Sequence, residues 1–253
     1  MASLSSVVKQ HPVGLRQNDL FRWAVSAGWR RVSDHRELNK RLRSLKAACP
    51  SLEDVEGTFN TLRDYPEFMT VQKREEIVAL LRLLSERRPS LMCEIGTSFG
   101  GTLFQLARAA DSAAKIISID CGLSVVRSRV HARMAKKSQR IVCLRSDSTA
   151  DDTIRRVKAI LGDQKLDFLL IDGDHSYTGV VKDFANYSPL VASGGLIALH
   201  DILPDYQTKL GIDTENWTGG VPQFWKELKH LYRTEEFLED VNQDGYGIGL
   251  IHW

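Results

Sequence analysis

The chain has 253 residues, 43% hydrophobic and 26% charged, with a formal net charge of +2. That length suits one sizeable α/β domain, or one domain with a small helical extension. The composition is too apolar for a disordered chain, and the near-neutral balance gives no case for nucleic acid as the main partner.

The first stretch, MASLSSVVKQHPVGLRQ, holds too short an apolar run for a signal peptide. No run elsewhere nears the roughly 18–20 apolar residues that span a bilayer. Cys49, Cys93, Cys121 and Cys143 show no CxxC pair and no regular spacing. Disulfides and structural zinc are therefore not expected, and the reading is a cytoplasmic protein without a membrane partner.

Up to about residue 90 the pattern is helical and charged. Phe21, Ala24, Val25 and Trp29 fall near helical spacing. Leu38, Leu42 and Leu45 do the same amid Arg36, Lys40, Arg41, Arg43 and Lys46. Pro50 and Gly57 punctuate the chain. The stripe Ile77, Leu80, Leu81, Leu84 predicts a helix over 71–86, which Pro89 must end.

Beyond Pro89, apolar runs alternate with helical segments. The runs are LMCEI (91–95), KIISID (115–120), RIVCL (140–144), DFLLID (167–172), GLIALHD (195–201) and YGIGLI (246–251). Runs apolar throughout suit strands buried on both faces, and the alternation predicts a doubly wound, mostly parallel α/β sheet. The expected layout is a helical N-terminal extension over 1–70 on an α/β domain over 71–253. The extension would serve as a cover over the sheet's carboxyl edge or as an ordinary packing layer.

The first strand runs into EIGTSFGGTL, residues 94–103. Glycines leaving a strand permit close approach of a ligand, and the next helix points its amides at it. The spacing G-x-x-x-G-G is not the G-x-G-x-x-G that cradles a pyrophosphate. Glu94 would repel a phosphate but suits a cation such as an amino group. Asp120, at the second strand's tip, can take both ribose hydroxyls, and Asp147, after the third, can accept from an adenine amino group. Gly96, Thr97, Ser98, Gly100, Gly101, Cys121, Ser148 and Asp172 complete the candidate cofactor contacts. Singly, each aspartate is as readily a helix cap or turn residue.

EIGTSFGGTL, SID, LRSDS, DFLLIDGDHSYTGVVKDF and LVASGGLIALHD, in that order, resemble the motifs of class I S-adenosylmethionine-dependent methyltransferases. More narrowly they resemble a small-molecule group with IDGDHSY and GG-x-I-x-x-H-D segments, akin to sugar and catechol O-methyltransferases. The resemblance covers about 70–253. It implies a seven-stranded Rossmann-like sheet of order 3-2-1-4-5-7-6, with YGIGLI as an antiparallel edge strand, and S-adenosylmethionine held by Glu94, Gly96, Asp120 and Asp147.

Two chemistries fit the IDGDHSY and HD segments. In one, Asp172, His200 and Asp201 bind a divalent cation that acidifies an acceptor hydroxyl. Two carboxylates with an imidazole suit Mn²⁺ or Fe²⁺ better than Mg²⁺. The resembling enzymes carry Asp-Asp or Asp-Asn where this chain has His200-Asp201. In the other, no metal binds and His175 or His200 removes the proton, an unperturbed imidazole titrating near pH ~6.5. His175 stands where the catechol enzymes carry a lysine base and is expected to be the base in either scheme, with Asp174 beside it. Asp174 and Ser176 also read as helix caps, and His200 as a core histidine. Trp217 and Trp225 are candidates for stacking on an acceptor, with core packing the alternative for Trp225. The basic run Arg127, Arg129, Arg133, Lys136, Lys137 and Arg140 reads as a solvated helix face.

The expected function is O-methylation of a small-molecule acceptor: a sugar, a glycosylated metabolite or another natural product. The competing readings are a nicotinamide-dependent oxidoreductase on a similar sheet and a non-catalytic cofactor-binding protein. Small methyltransferases often pair through N-terminal helices, so a homo-oligomer fits the resemblance.

Overall fold

The computed structural model describes residues 35–49, 54–213 and 216–253. The helical spacing of Phe21 to Trp29 lies outside them, as does Pro50. Helix α1 (His35–Ala48) buries Leu38, Leu42 and Leu45, one stripe of its 3.6-residue period. Helix α2 (Val55–Leu62) is capped by Asp54, which accepts from Gly57 N at 2.7 Å. A 3₁₀ turn (Pro66–Phe68) leads to helix α3 (Arg74–Arg87). That helix starts later than its apolar stripe suggests, because residues 69–73 are non-helical. It ends on Arg88 at φ +49°, with Pro89 next.

Strands and helices then alternate: β1 (Leu91–Ile95), α4 (Gly101–Ala109), β2 (Lys115–Ile119), α5 (Val125–Ala132), β3 (Arg140–Leu144), α6 (Asp151–Leu161), β4 (Leu166–Ile171), α7 (Tyr177–Tyr187) and β5 (Val191–His200). Helices α8 (Tyr206–Leu210) and α9 (Val221–Leu228) precede β6 (Arg233–Phe237) and β7 (Ile248–His252). The strand order is β3-β2-β1-β4-β5-β7-β6, as expected. Strand β7 runs antiparallel to β5 and β6, and the remaining pairs are parallel.

One expectation needs correcting. Strand β7 is not the edge strand, for β6 pairs outside it. β6 reads RTEEF and has no fully buried residue. A charged, exposed edge strand blocks further pairing and leaves no apolar run to find.

Alternate side chains of each strand feed two cores. Met92, Ile116, Phe168 and Ala198 join residues of α1 to α5 on one face. Cys93, Ile117, Leu169 and Ile197 join α6, α7 and α9 on the other, where Trp225 packs, 2% exposed. The described N-terminal helices are thus a packing layer continuous with the first core. All four cysteines are free. Among the described residues no helix is long and apolar enough to cross a membrane.

Candidate active site

A cavity of about 580 Å³ opens at the carboxyl ends of β1 to β5, where ligands sit in open α/β sheets. At one end Asp120 leaves β2 with both oxygens engaged by backbone: Oδ2 accepts from Ser98 N at 2.6 Å and Oδ1 from Gly122 N at 2.7 Å. Asp147 accepts from Thr149 N and its hydroxyl, both at 2.8 Å. Ser98, Asp120, Cys121, Asp147 and Ser148 all line the cavity.

The glycine turn is held as much by protein as it is shaped for a ligand. Gly96 lines the cavity at φ +89°, and a Cβ there would lie 1.8 Å from the Asp172 carbonyl oxygen. Gly100 and Gly101 do not line it. A Cβ on Gly100 would meet the His131 ring at 2.7 Å, and one on Gly101 would meet the carbonyls of Phe68 and Met69 at 2.4 Å. Their missing side chains make room for neighbouring chain. Thr97 is buried and pairs with the Ser118 hydroxyl at 2.6 Å.

Glu94 is wholly buried under this turn and does not line the cavity; among the described residues neither carboxylate oxygen has a hydrogen-bond partner of good geometry. Burial pushes its carboxyl up to about 8, the Asp172 and Asp120 charges adding to the rise and Thr97 opposing it.

At the other end, β4 and β5 bring four ionisable groups together. His200 Nδ1 lies 3.1 Å from Asp172 Oδ1 and 3.3 Å from Asp201 Oδ1. His175 Nε2 lies 3.4 Å from Asp201 Oδ2 and 3.6 Å from Asp172 Oδ1. Asp201 sits at φ +64° and is 1% exposed, a strained backbone of the kind that gathers at functional sites. His175 Nδ1 is 2.8 Å from the Trp217 carbonyl. A carbonyl only accepts, so Nδ1 carries the proton and Nε2 faces the carboxylates.

Burial opposes charge on both rings. For His175, Asp172 and Asp201 outweigh it and raise the imidazole to about 9. For His200, Asp201 and Asp172 hold the ring well above its ordinary value. Burial likewise opposes charge on Asp172, yet the two histidines draw its carboxyl well below the usual range. Near neutral pH the cluster is an interlocked set of opposite charges, and His175 is a cation, not the free base of an unperturbed imidazole.

Oxygens of Asp172 and Asp201 and a nitrogen of His175 all lie within 4.8 Å of one another, a spacing that could hold a metal ion. The sequence pattern pointed to Asp172, His200 and Asp201. His200 lies 3% exposed against both carboxylates, with Nε2 unpartnered. Asp174 lines the cavity outside the cluster, with both oxygens taken by the Ser176 amide and hydroxyl at 2.9 Å ahead of α7.

Sequence reasoning missed three contributors. Val71 and Tyr246 line the cavity, Tyr246 packing on Trp217 with ring centroids 4.5 Å apart. Gln72 Nε2 donates to Asp172 Oδ2 at 2.8 Å. None of the three lies in a motif. The aromatic side chain in YGIGLI was the one available signal, and it was absorbed into a strand.

Residues 93–202 match the family model described as a methyltransferase domain. Over that stretch the chain is similar to methyltransferase domains. An uncharacterized protein, y4gI, of Sinorhizobium fredii is 24% identical over 179 residues, 68% of this chain but 18% of that protein. A rhamnosyl O-methyltransferase of Mycobacterium bovis is 25% identical over 124 residues, 47% of this chain and 48% of that one. The chain thus spans less than half the length of these curated relatives. Among solved structures, the methyltransferase MycE of mycinamycin biosynthesis, in complex with Mg, SAH and mycinamycin VI, shares the fold. Its TM-score is 0.53 at 17% identity, over 80% of this chain and 54% of that one. The α/β domain here shares that fold, with its cavity at the carboxyl edge of the sheet.

Proposed function

We propose that the protein is an S-adenosylmethionine-dependent O-methyltransferase acting on a hydroxyl of a small molecule, such as a sugar or glycosylated metabolite. The carrying observation is one cavity joining two unlike ends: Asp120 and Asp147 at the first, Asp172, His175 and Asp201 at the second. MycE, solved with SAH, and the rhamnosyl enzyme support the reading by their names. The turn's G-x-x-x-G-G spacing, unlike the G-x-G-x-x-G that cradles a pyrophosphate, weighs against a nicotinamide enzyme, and a cationic amino group near the buried Glu94 would favour its ionised form.

When bound, the cofactor supplies an electrophilic sulfonium methyl. The chain's residues hold the two partners. Asp120, pre-set by Ser98 and Gly122 amides, would take the ribose, and Gly96 leaves the turn open beside it. Trp217 and Tyr246 wall the acceptor end and exclude water, leaving an aligned approach of about 3–3.5 Å to do most of the catalysis. His175 Nε2 is placed to receive the acceptor's proton once its own has gone.

The donor set also fits a divalent cation. Two carboxylates and an imidazole converge, and His175's second nitrogen is tied to a carbonyl, as metal-binding histidines usually are. Asp172, His175 and Asp201 would hold the ion, which would lower the pKa of an acceptor hydroxyl.

Calorimetric titration with S-adenosylmethionine, S-adenosylhomocysteine and NAD tests the reading. Micromolar binding of the first two and none of NAD is expected, and NAD binding alone would overturn it. Chelator dialysis should abolish methyl transfer and Mn²⁺, Fe²⁺ or Mg²⁺ restore it. Full activity after chelation would leave His175 as a metal-free base.

A further inference from the structure

Between the 3₁₀ turn and α3, residues 70–72 bring a polar side chain out of the N-terminal layer and into the site. Gln72 is 4% exposed, though glutamine is seldom buried unless fully hydrogen-bonded. Its Nε2 donates to Asp172 Oδ2 at 2.8 Å. Its Oε1 accepts from the Thr102 hydroxyl at 2.6 Å and from the Thr70 hydroxyl. Those two hydroxyls lie 3.0 Å apart. Chemistry settles the amide's orientation. An ionised carboxylate only accepts, so the NH₂ must face Asp172 and the carbonyl must face the threonines.

The partners come from three parts of the chain. Thr70 belongs to the segment leaving the N-terminal helices. Thr102 is in the first turn of α4, the helix that follows the glycine turn. Asp172 follows β4. Without Gln72 the carboxylate would be held by the histidines through Oδ1 alone, and χ2, a broad torsion, would be less restrained. With Oδ2 held, Oδ1 faces His200 Nδ1 at 3.1 Å and His175 Nε2 at 3.6 Å. The donor is also neutral, so it orients the carboxylate without cancelling the charge on which both histidines depend.

We infer that Gln72 is a positioning residue for the reaction. It holds the Asp172 carboxylate towards His175 and His200, and so makes the N-terminal layer part of the acceptor site. The inference rests on the reading of Asp172, His175 and Asp201 as the acceptor end. Groups that orient a ligating or catalytic carboxylate typically matter by about 10–100-fold in affinity or activity.

The test uses the full chain and Gln72→Met, which keeps side-chain length and loses the donor. Calorimetry with S-adenosylhomocysteine checks the cofactor reading separately: a wild type that fails to bind overturns that reading, not this one. Long-range ¹H–¹⁵N spectra of the imidazoles check the inference. Gln72→Met should bind S-adenosylhomocysteine within about twofold of wild type, while the ring nitrogens of both His175 and His200 shift by several ppm and those of His252 do not. Unmoved His175 and His200 signals in a folded Gln72→Met protein would overturn it. If that variant does not fold, Thr102→Val removes the hydroxyl that holds the Gln72 carbonyl. It should move the same two rings in the same direction by less, and unmoved rings there would be equally decisive.

Discussion

At the proposed cofactor end of the cavity the two aspartates accept mainly from backbone. Asp120 holds Ser98 N and Gly122 N, and Asp147 holds Thr149 N. At the acceptor end the same residue type faces other side chains: Asp172 and Asp201 meet two imidazoles and an amide. The first end is a shape built mostly from backbone amides at neighbouring strand tips. The second is a charge balance assembled across the chain. A backbone-held end tolerates loss of one contact; a charge cluster losing one member leaves the others buried and unpaired, which costs far more.

The largest expected effect follows from that asymmetry. Asp172→Ala should lower methyl transfer about 10²–10³-fold while S-adenosylhomocysteine affinity changes far less, as steady-state rates and calorimetry would show. Should cofactor binding collapse instead, the division between the ends is wrong. Asp120→Ala should do the reverse. Loss of the equivalent of one charge-assisted hydrogen bond to ribose, about 1.5–3 kcal/mol when one partner is charged, predicts cofactor affinity weakened by about 10–100-fold. Its turnover at saturating cofactor should be near wild type.

The same asymmetry decides what could be read from the sequence. Strand tips put Glu94, Asp120, Asp147, Asp172 and Asp201 in order along the chain, and a parallel sheet must bring successive carboxyl ends together. The parallel sheet and the gathering of these carboxylates at its carboxyl edge were therefore legible in the residues, while the strand order came from the resemblance to methyltransferases. The acceptor end was legible only in its aspartates and histidines. Gln72 lies 100 positions from Asp172, and no local pattern ties them. Trp217 acts through its carbonyl, which any residue could supply. Gly100 and Gly101 were legible as glycines but not in purpose, because His131 and the carbonyls of Phe68 and Met69 approach them from distant segments. Strand β6 carried no apolar signal at all.

A smaller effect sharpens the acceptor side. Trp217→Ala removes an aromatic wall but keeps the carbonyl that orients His175. An aromatic contact of about 0.5–1.5 kcal/mol predicts a rise of about 2–10-fold in acceptor KM with kcat little changed. A fall in kcat without a change in KM would mean that the indole positions His175 and does not touch the acceptor.

Glu94 lies under the glycine turn, behind the cavity lining, and like the charge cluster it is an ionisable side chain taken fully out of water. Its carboxyl is raised to about 8 in the folded protein, against about 4.3 in an unfolded chain. Between those values the folded state keeps a proton that the unfolded state has lost. Its contribution to stability is therefore full below pH ~4.3 and is lost as pH rises through ~8. The ligand-free protein should show a melting temperature that falls over this range, and Glu94→Gln should flatten the fall. Binding a cationic amino group beside Glu94 favours the ionised form. At pH 7 a group with a pKa of about 8 is about nine-tenths protonated, so cofactor binding should release nearly one proton. Calorimetry in buffers of different ionisation enthalpy reads that number directly. Release that vanishes in Glu94→Gln would place the amino group against this carboxylate, whereas release unchanged in Glu94→Gln would move the proton's source elsewhere in the protein and overturn that placement.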